Sequence, residues 1–289
     1  MVTKYDYNLK EVEVCYSALI ELMTVLGEYR ADAVLIGGWV PYFLCPEHQK
    51  EHTGSLDIDI ALDFSKIGDD EYQTILEAIK KRDWNPGRQP FIYEKIFRLS
   101  DESDIPVEIN FMAGEYGGKG KSHRHQDIQD IKARKARGCD LVFDNPEGII
   151  VRGRMPDGSS NEVSIQVSSI VPFLVTKGMA IWDRYKEKDA YDIHFCLQYY
   201  PANHDTIVGE FEEHLGNKLV REGLEKIRAK FVSIDAPGPV WAANFEVPEE
   251  DRKDNPDAQE KWGITQRSAF ERVDRLMSAL GIEPFKGTR

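Results

Sequence analysis

Apolar residues early in the chain recur three and four positions apart. Leu9, Val12, Val14, Cys15, Leu19, Ile20, Leu22, Met23, Val25 and Leu26 follow a helical pattern, so residues 8–29 are expected to form a helix packing ahead of the first strand. The pattern then shortens. Val34, Leu35 and Ile36 are an unbroken apolar run that reads as a buried strand, and Gly37-Gly38 lets the backbone turn tightly before a helix beginning near Trp39 or Val40. Over residues 56–62 the chain alternates. In a strand, Leu56, Ile58 and Ile60 would enter the core while Asp57 and Asp59 project together from the opposite face.

Residues 71–81 read as an amphipathic helix, ended ahead of Asn85-Pro86-Gly87. Residues 91–99 and 105–111 flank the turn-like stretch 100–104 and predict an antiparallel hairpin, with Val107, Ile109 and Phe111 on one face and Glu108 and Asn110 on the other. The segment 114–137 is glycine-rich, then basic, and is expected to be a loop ordering into a short helix. A second hairpin follows, 148–154 and 162–167 around the turn at 155–159. Beyond it the period becomes helical over 170–185, 188–199, 205–214 and 218–231, with a break at 236–239, a polar linker at 251–258 and a last helix over 259–280. These elements predict an α/β (α+β) fold. A small mixed sheet flanked by helices would occupy residues 1–165, and a helical domain with a C-terminal extension residues 166–289.

Composition narrows the setting. The 289 residues are 41% hydrophobic and 30% charged, enough to bury a core. The longest apolar runs fall short of a membrane span, and Met1-Val2-Thr3-Lys4 lacks a secretory pattern, so a cytoplasmic protein is expected. Cys15, Cys45, Cys139 and Cys196 are scattered without paired spacing, which suggests reduced, packed thiols; His123 and His125 with Cys139, or His194 with Cys196, lack the spacing of a zinc site. A net charge of −13 repels nucleic acid, so an RNA partner would need a local basic patch. Lys119, Lys121, Arg124, Lys132, Arg134, Lys135 and Arg137 supply one candidate.

The chemistry lies in two motifs. Two carboxylates side by side on a strand attract a hard divalent cation, and magnesium favours a few protein oxygens completed by substrate phosphates. A glycine turn at the start of a helix offers amide groups to a phosphate. Alone, each is commonly an exposed strand edge or a tight turn; in this order, one short helix apart, they point to phosphoryl transfer. Glu108 would complete the metal site if its strand pairs beside Asp57 and Asp59. Lys177, in an apolar helix, must reach solvent or a partner anion, such as a triphosphate, and Asp189 and Asp192 share a helix face on which they could hold Lys177, Arg184 or a nucleophile.

The glycine turn, helix and Asp-x-Asp strand resemble the nucleotidyltransferase superfamily that includes DNA polymerase beta. Within it the chain looks most like the AbiEii/AbiGii-type toxin nucleotidyltransferases, whose later lysine and Lys-Asp-x-x-Asp segment match Lys177, Arg184, Lys188, Asp189 and Asp192; the likeness spans residues 15–200. Two positions depart from that pattern. Thr53, Gly54 and Ser55 stand where the family often has an arginine, and Glu108 stands for a usual aspartate.

The resemblance implies a nucleotidyltransferase-like fold and a magnesium- or manganese-dependent enzyme moving a nucleoside monophosphate from a nucleoside triphosphate to an acceptor hydroxyl. Gly37, Gly38, Lys177 and Arg184 would bind the nucleotide, Asp57, Asp59 and Glu108 the metal, and Asp189 or Asp192 would orient or deprotonate the acceptor. The acceptor would be tRNA or protein, with growth arrest relieved by an antitoxin protein. Transfer to a small aminoglycoside-like molecule, and a catalytically idle module binding nucleotide or a partner, are the alternatives.

Overall fold

The computed structural model describes residues 2–99, 101–114, 125–128 and 131–287, with 125–128 and 131–135 given by their backbone. These residues group into two compact units. Asn8–Phe43 with Thr53–Ser169 form the first, and Met1–Tyr7, Leu44–His52 and Ile170–Arg289 the second. The expected division near residue 165 falls inside the last strand of the first unit.

The first unit begins with α1 (Leu9–Leu26), β1 (Ala33–Ile36) and α2 (Val40–Leu44), followed by β2 (Asp57–Leu62) and α3 (Asp69–Lys80). Strands β3 (Asn85–Pro86), β4 (Ile92–Arg98) and β5 (Asp104–Ala113) come next, then β6 (His125–Ile128), β7 (Ile131–Lys135), β8 (Glu147–Arg154) and β9 (Ser160–Val167). Among the described residues they form one mixed sheet in the order β3-β4-β5-β2-β1-β9-β8, with β7 joined to β5 and β6 to β7. β1 runs antiparallel to β2 and parallel to β9, and β2 runs parallel to β5.

The apolar pattern accounts for these places. All four residues of β1 are buried, as an uninterrupted apolar run in a central strand requires. β5 alternates instead, burying Val107, Ile109 and Phe111. α1 carries Leu19, Ile20, Leu22 and Met23, all fully buried, onto the sheet; each contributes about 1.5–3 kcal/mol of apolar burial.

The second unit contains α4 (Ile170–Asp183), α5 (Glu187–Tyr199), α6 (His204–His214), α7 (Lys218–Lys230), α8 (Pro237–Glu246), α9 (Glu249–Arg252) and α10 (Pro256–Ala279). α4 is apolar almost all round and buries ten of its residues. It crosses α7 at two glycines. A Cβ on Gly178 would overlap the carbonyl oxygen of Gly223, and one on Gly223 would lie 2.9 Å from Cα of Val175.

The structure corrects three local expectations. Of the segment 114–137, His125–Ile128 and Ile131–Lys135 form β6 and β7 in place of the expected short helix, because the end of β5 offers backbone groups that β7 pairs at Met112↔Arg134 and Ala113↔Lys135. Ala236–Pro239 is the start of a helix: Pro237 and Pro239 sit in the first turn of α8, where an absent N–H costs nothing. The polar stretch 251–258 includes the end of α9 and the start of α10, which Asn255 caps by accepting a hydrogen bond from the Ala258 amide. At Gly37-Gly38 the expectation holds: Gly37–Trp39 make a single 3-10 turn and the five-residue α2 begins at Val40.

Replacing Gly178 by alanine forces two helix backbones apart. The Gly178→Ala protein is expected to lose about 2–3 kcal/mol of stability, read from urea unfolding; an unchanged midpoint would show that the α4–α7 crossing yields freely.

Candidate active site

The register between β1 and β2 sets Asp59 opposite Ile36, one residue before the glycine turn. Gly37 has φ +73°, a conformation that disfavours any residue with a Cβ, and an added Cβ would lie 2.9 Å from Cγ of Asp59 and closer still to its Oδ2. The bend and the second aspartate are therefore in contact. Trp39, 1% exposed, closes the turn from below in an aromatic group with Tyr16, Tyr42 and Phe43.

Parallel pairing of β2 with β5 settles where Glu108 stands. Asp57 is the register partner of Glu108, and Asp59 of Asn110. Partners across a sheet share a face, so Asp57, Asp59, Glu108 and Asn110 project together. Asn110 Nδ2 donates to Asp59 Oδ1 at 3.0 Å, and the Ser55 hydroxyl donates to Asp57 Oδ1 at 2.6 Å. Asp57 and Asp59 are each partly exposed, so both can meet a solvent-borne ligand.

Antiparallel pairing with β4 adds a third carboxylate to the first rung. Glu94 is the partner of Glu108, so Glu94, Glu108 and Asp57 line up across three strands. Partial burial, then the charges of Glu94 and Asp57, raise the Glu108 pKa; Arg88 opposes the shift. Ser55 and Glu94 escaped the sequence reading. Ser55 carried a signal, lying where the resembled family often has arginine, whereas Glu94 required the register.

Among the described residues, no three histidine, cysteine or carboxylate side chains gather closely enough to hold a metal ion unaided. The donor chemistry nonetheless suits magnesium, which is commonly held by one or two carboxylates and the phosphates of its substrate. Asp57 and Asp59 could serve as that pair, with Glu108 beside Asp57 as a further oxygen donor.

Lys177, Arg184, Asp189 and Asp192 belong to the helical unit, where they form their own cluster. Lys177 Nζ donates to Asp189 at 2.8 Å and Asp192 at 2.7 Å. Arg184 clasps Asp189 through Nε and Nη2, and Lys188 donates to both oxygens of Asp192. His52 Nε2 lies 3.0 Å from Asp192 Oδ1. Burial lowers the His52 pKa to about 4, reinforced by Lys188; the neutral ring must then donate from Nε2, since an ionised carboxylate only accepts.

Burial works against the charges of Asp189 and Asp192, but Lys177 with Arg184, and Lys177 with Lys188 and His52, overcome it and hold both carboxyls below the usual range. Lys177 is likewise held charged against burial by Asp189 and Asp192. The anion expected of Lys177 is thus supplied from within.

Of the basic patch, Lys119, Lys121 and Arg124 lie outside the described residues, as does His123; the side chains of His125, Lys132, Arg134 and Lys135 are also outside them. In comparisons with protein-family models, curated proteins and solved structures, none matches this chain.

Two outcomes test the buried cluster. Asp192→Ala would strand Lys177 and Lys188 in the interior and is expected to cost about 3–5 kcal/mol in chemical unfolding; a loss below about 1 kcal/mol would deny the cluster its structural part.

The second outcome concerns pH. His52 and His194 both titrate near pH 4 in the folded chain against an ordinary 6.5. Between those values the unfolded chain binds protons that the folded one does not, so stability falls as pH drops from about 6.5 and this contribution levels off near 4. The loss is up to about 3 kcal/mol for each histidine, and equal unfolding free energies at pH 7 and pH 4.5 would contradict it.

Proposed function

We propose that this chain is a magnesium-dependent nucleotidyltransferase whose reacting centre is the shared face of β2 and β5 beside the Gly37 bend. The observation that carries the reading is the contact between Gly37 and the Asp59 carboxylate, with Asp57 two residues away on the same face. A phosphate at the bend would lie beside both acids. Two carboxylates repel an unescorted polyphosphate, so the reading calls for a divalent cation between them, manganese serving in place of magnesium.

When bound, the ion would neutralise charge growing on the phosphoryl oxygens. The residues of the chain have distinct tasks in this scheme. Asp57 and Asp59 supply the ligating oxygens. Ser55 donates a hydrogen bond to Asp57 and Asn110 donates one to Asp59, which limits rotation of the carboxylates before substrate arrives. Glu108, its pKa raised by partial burial and its acidic neighbours, is the group suited to take a proton from an attacking hydroxyl or to act as a third metal ligand. Gly37 and Gly38 leave the backbone approachable.

Asp192 is fully buried and accepts from three side chains, an arrangement that suits it to hold α5, α4 and residues 44–52 together rather than to touch a substrate. Asp189 and Lys177 share that task within the reading. Arg184 is the cluster member whose side chain remains half exposed, and it is the one suited to a solvent-borne anion. The acceptor is proposed to be the hydroxyl of a tRNA or a protein, and an antitoxin partner follows only from the family resemblance.

A second reading, an idle nucleotide-binding module, is favoured by the lack of a three-ligand metal group among the described residues. One experiment separates the two. Purified protein is incubated with each α-labelled triphosphate, cell extract and magnesium, beside an Asp57→Ala, Asp59→Ala variant. Label is expected on RNA or protein with the natural chain and to fall at least about a hundredfold with the variant. Equal labelling by both would reject the assigned roles, and triphosphate binding without metal or transfer would favour the idle module.

A further inference from the structure

The helical unit holds a cavity of about 540 Å³ that the proposed reaction leaves unused. Its floor is apolar, made by Leu197 at the end of α5, Ile207 of α6 and Leu276 of α10. Its rim is cationic. Arg267, Arg272 and Arg275 project from α10, and His204, the first residue of α6, faces them; Glu271 is the acid among the lining residues.

Three features make this a built site. Arg272 is fixed in place, donating from Nε to the Ser268 hydroxyl at 3.1 Å and from Nη1 to the Leu197 carbonyl at 3.2 Å, while Ser268 also meets His194 Nε2 at 3.1 Å. A guanidinium held this way presents its remaining donors without first losing rotamer freedom. None of the three arginines is ion-paired with a carboxylate among the described residues, in a chain with 50 acidic side chains against 37 lysines and arginines. Ile264, on the same rim, is 61% exposed. Unpaired arginines beside exposed aliphatic carbon match a ligand with an anionic end and a flat apolar end.

We infer that this cavity binds a phosphate monoester of nucleotide size, its phosphate on Arg267, Arg272 and Arg275 and its ring on the floor of Leu197, Ile207 and Leu276. The volume lies within the range that encloses small ligands. Spherical phosphate alone would use the rim and leave the floor wet, so the ring should add affinity. The inference is independent of the reaction proposed for the sheet.

The test is calorimetric titration of the full chain with AMP, phenyl phosphate, inorganic phosphate and a tRNA-length RNA. The same titrations are made on Arg267→Ala, Arg275→Ala protein and on the Asp57→Ala, Asp59→Ala protein. AMP and phenyl phosphate are expected to bind the natural chain more tightly than inorganic phosphate does. Binding of both should weaken about tenfold or more in the arginine variant and survive in the aspartate variant. Both replaced arginines are exposed, and matching thermal unfolding curves confirm that the variant is folded.

Equal AMP affinity in the arginine variant overturns the inference. So does loss in the aspartate variant alone, which would assign AMP to the carboxylate face. No binding of any phosphate monoester, or RNA binding lost in the arginine variant without AMP binding, would overturn it as well. Because the two variants sit in different units, failure here leaves the transferase reading to its own assay.

Discussion

The pairing register of β2 is the constraint on which the sheet unit turns. With Asp59 opposite Ile36 and beside Asn110, the carboxylate lies against Gly37 and receives its hydrogen bond from the neighbouring strand. A slip of one residue would turn Ile58 and Ile60 out to solvent and bury both aspartates, so the apolar half of the strand fixes the position of the polar half. The glycine is needed for a separate reason. Its positive φ directs the chain away from β1, and its bare Cα leaves room for an acid side chain where any other residue would collide.

The helical unit solves a different problem with the same chemistry. Lys177 sits on a helix that is otherwise almost wholly apolar, and Asp192 is buried beneath it. Removing these charges from water costs several kcal/mol each unless their partners are close and all their hydrogen bonds are made. The cluster meets that condition through Lys177, Lys188, His52, Asp189 and Arg184. His52 comes from the excursion at residues 44–52, so the network also ties a segment distant in sequence to α5. Tyr191 reinforces the tie, donating from its hydroxyl to the carbonyl of Glu51 at 3.1 Å.

Much of this was readable from pattern because each main element buries one face. Alternation at 56–62 marked β2 and placed Asp57 and Asp59 on one side; the apolar run at 34–36 marked a central strand; helical periods located α1, α4, α5 and α7 closely. What escaped depended on groups that meet only after the chain folds. Glu94 lies opposite Glu108 by a register that no local spacing encodes, and residues 44–52 join the helices through tertiary contacts. β6 and β7 owe their form to the open end of β5, against a glycine-rich composition that read as loop and helix. At Pro237 the signal was present but ambiguous, since proline both ends one helix and begins another.

The net charge of −13 describes the chain poorly at the scale where ligands bind. At 0.15 M salt, exposed charges are screened beyond about 8 Å, so each site responds to its own neighbours rather than to the total. On the sheet, Glu94, Glu108 and Asp57 stand across adjacent strands, and desolvation together with the charges of Glu94 and Asp57 raises the cost of ionising Glu108. In the proposed reading a proton or a cation joining the row would ease that cost, and a cation bringing its own phosphate oxygens would add a ligand at the same step. Around α10 the signs are reversed: among the described residues Arg267, Arg272 and Arg275 have no ion-paired carboxylate, the setting from which anion binding is inferred. A chain that keeps like charges together in these two places forgoes the stability that mixing them would give, and the binding of oppositely charged ligands would restore it.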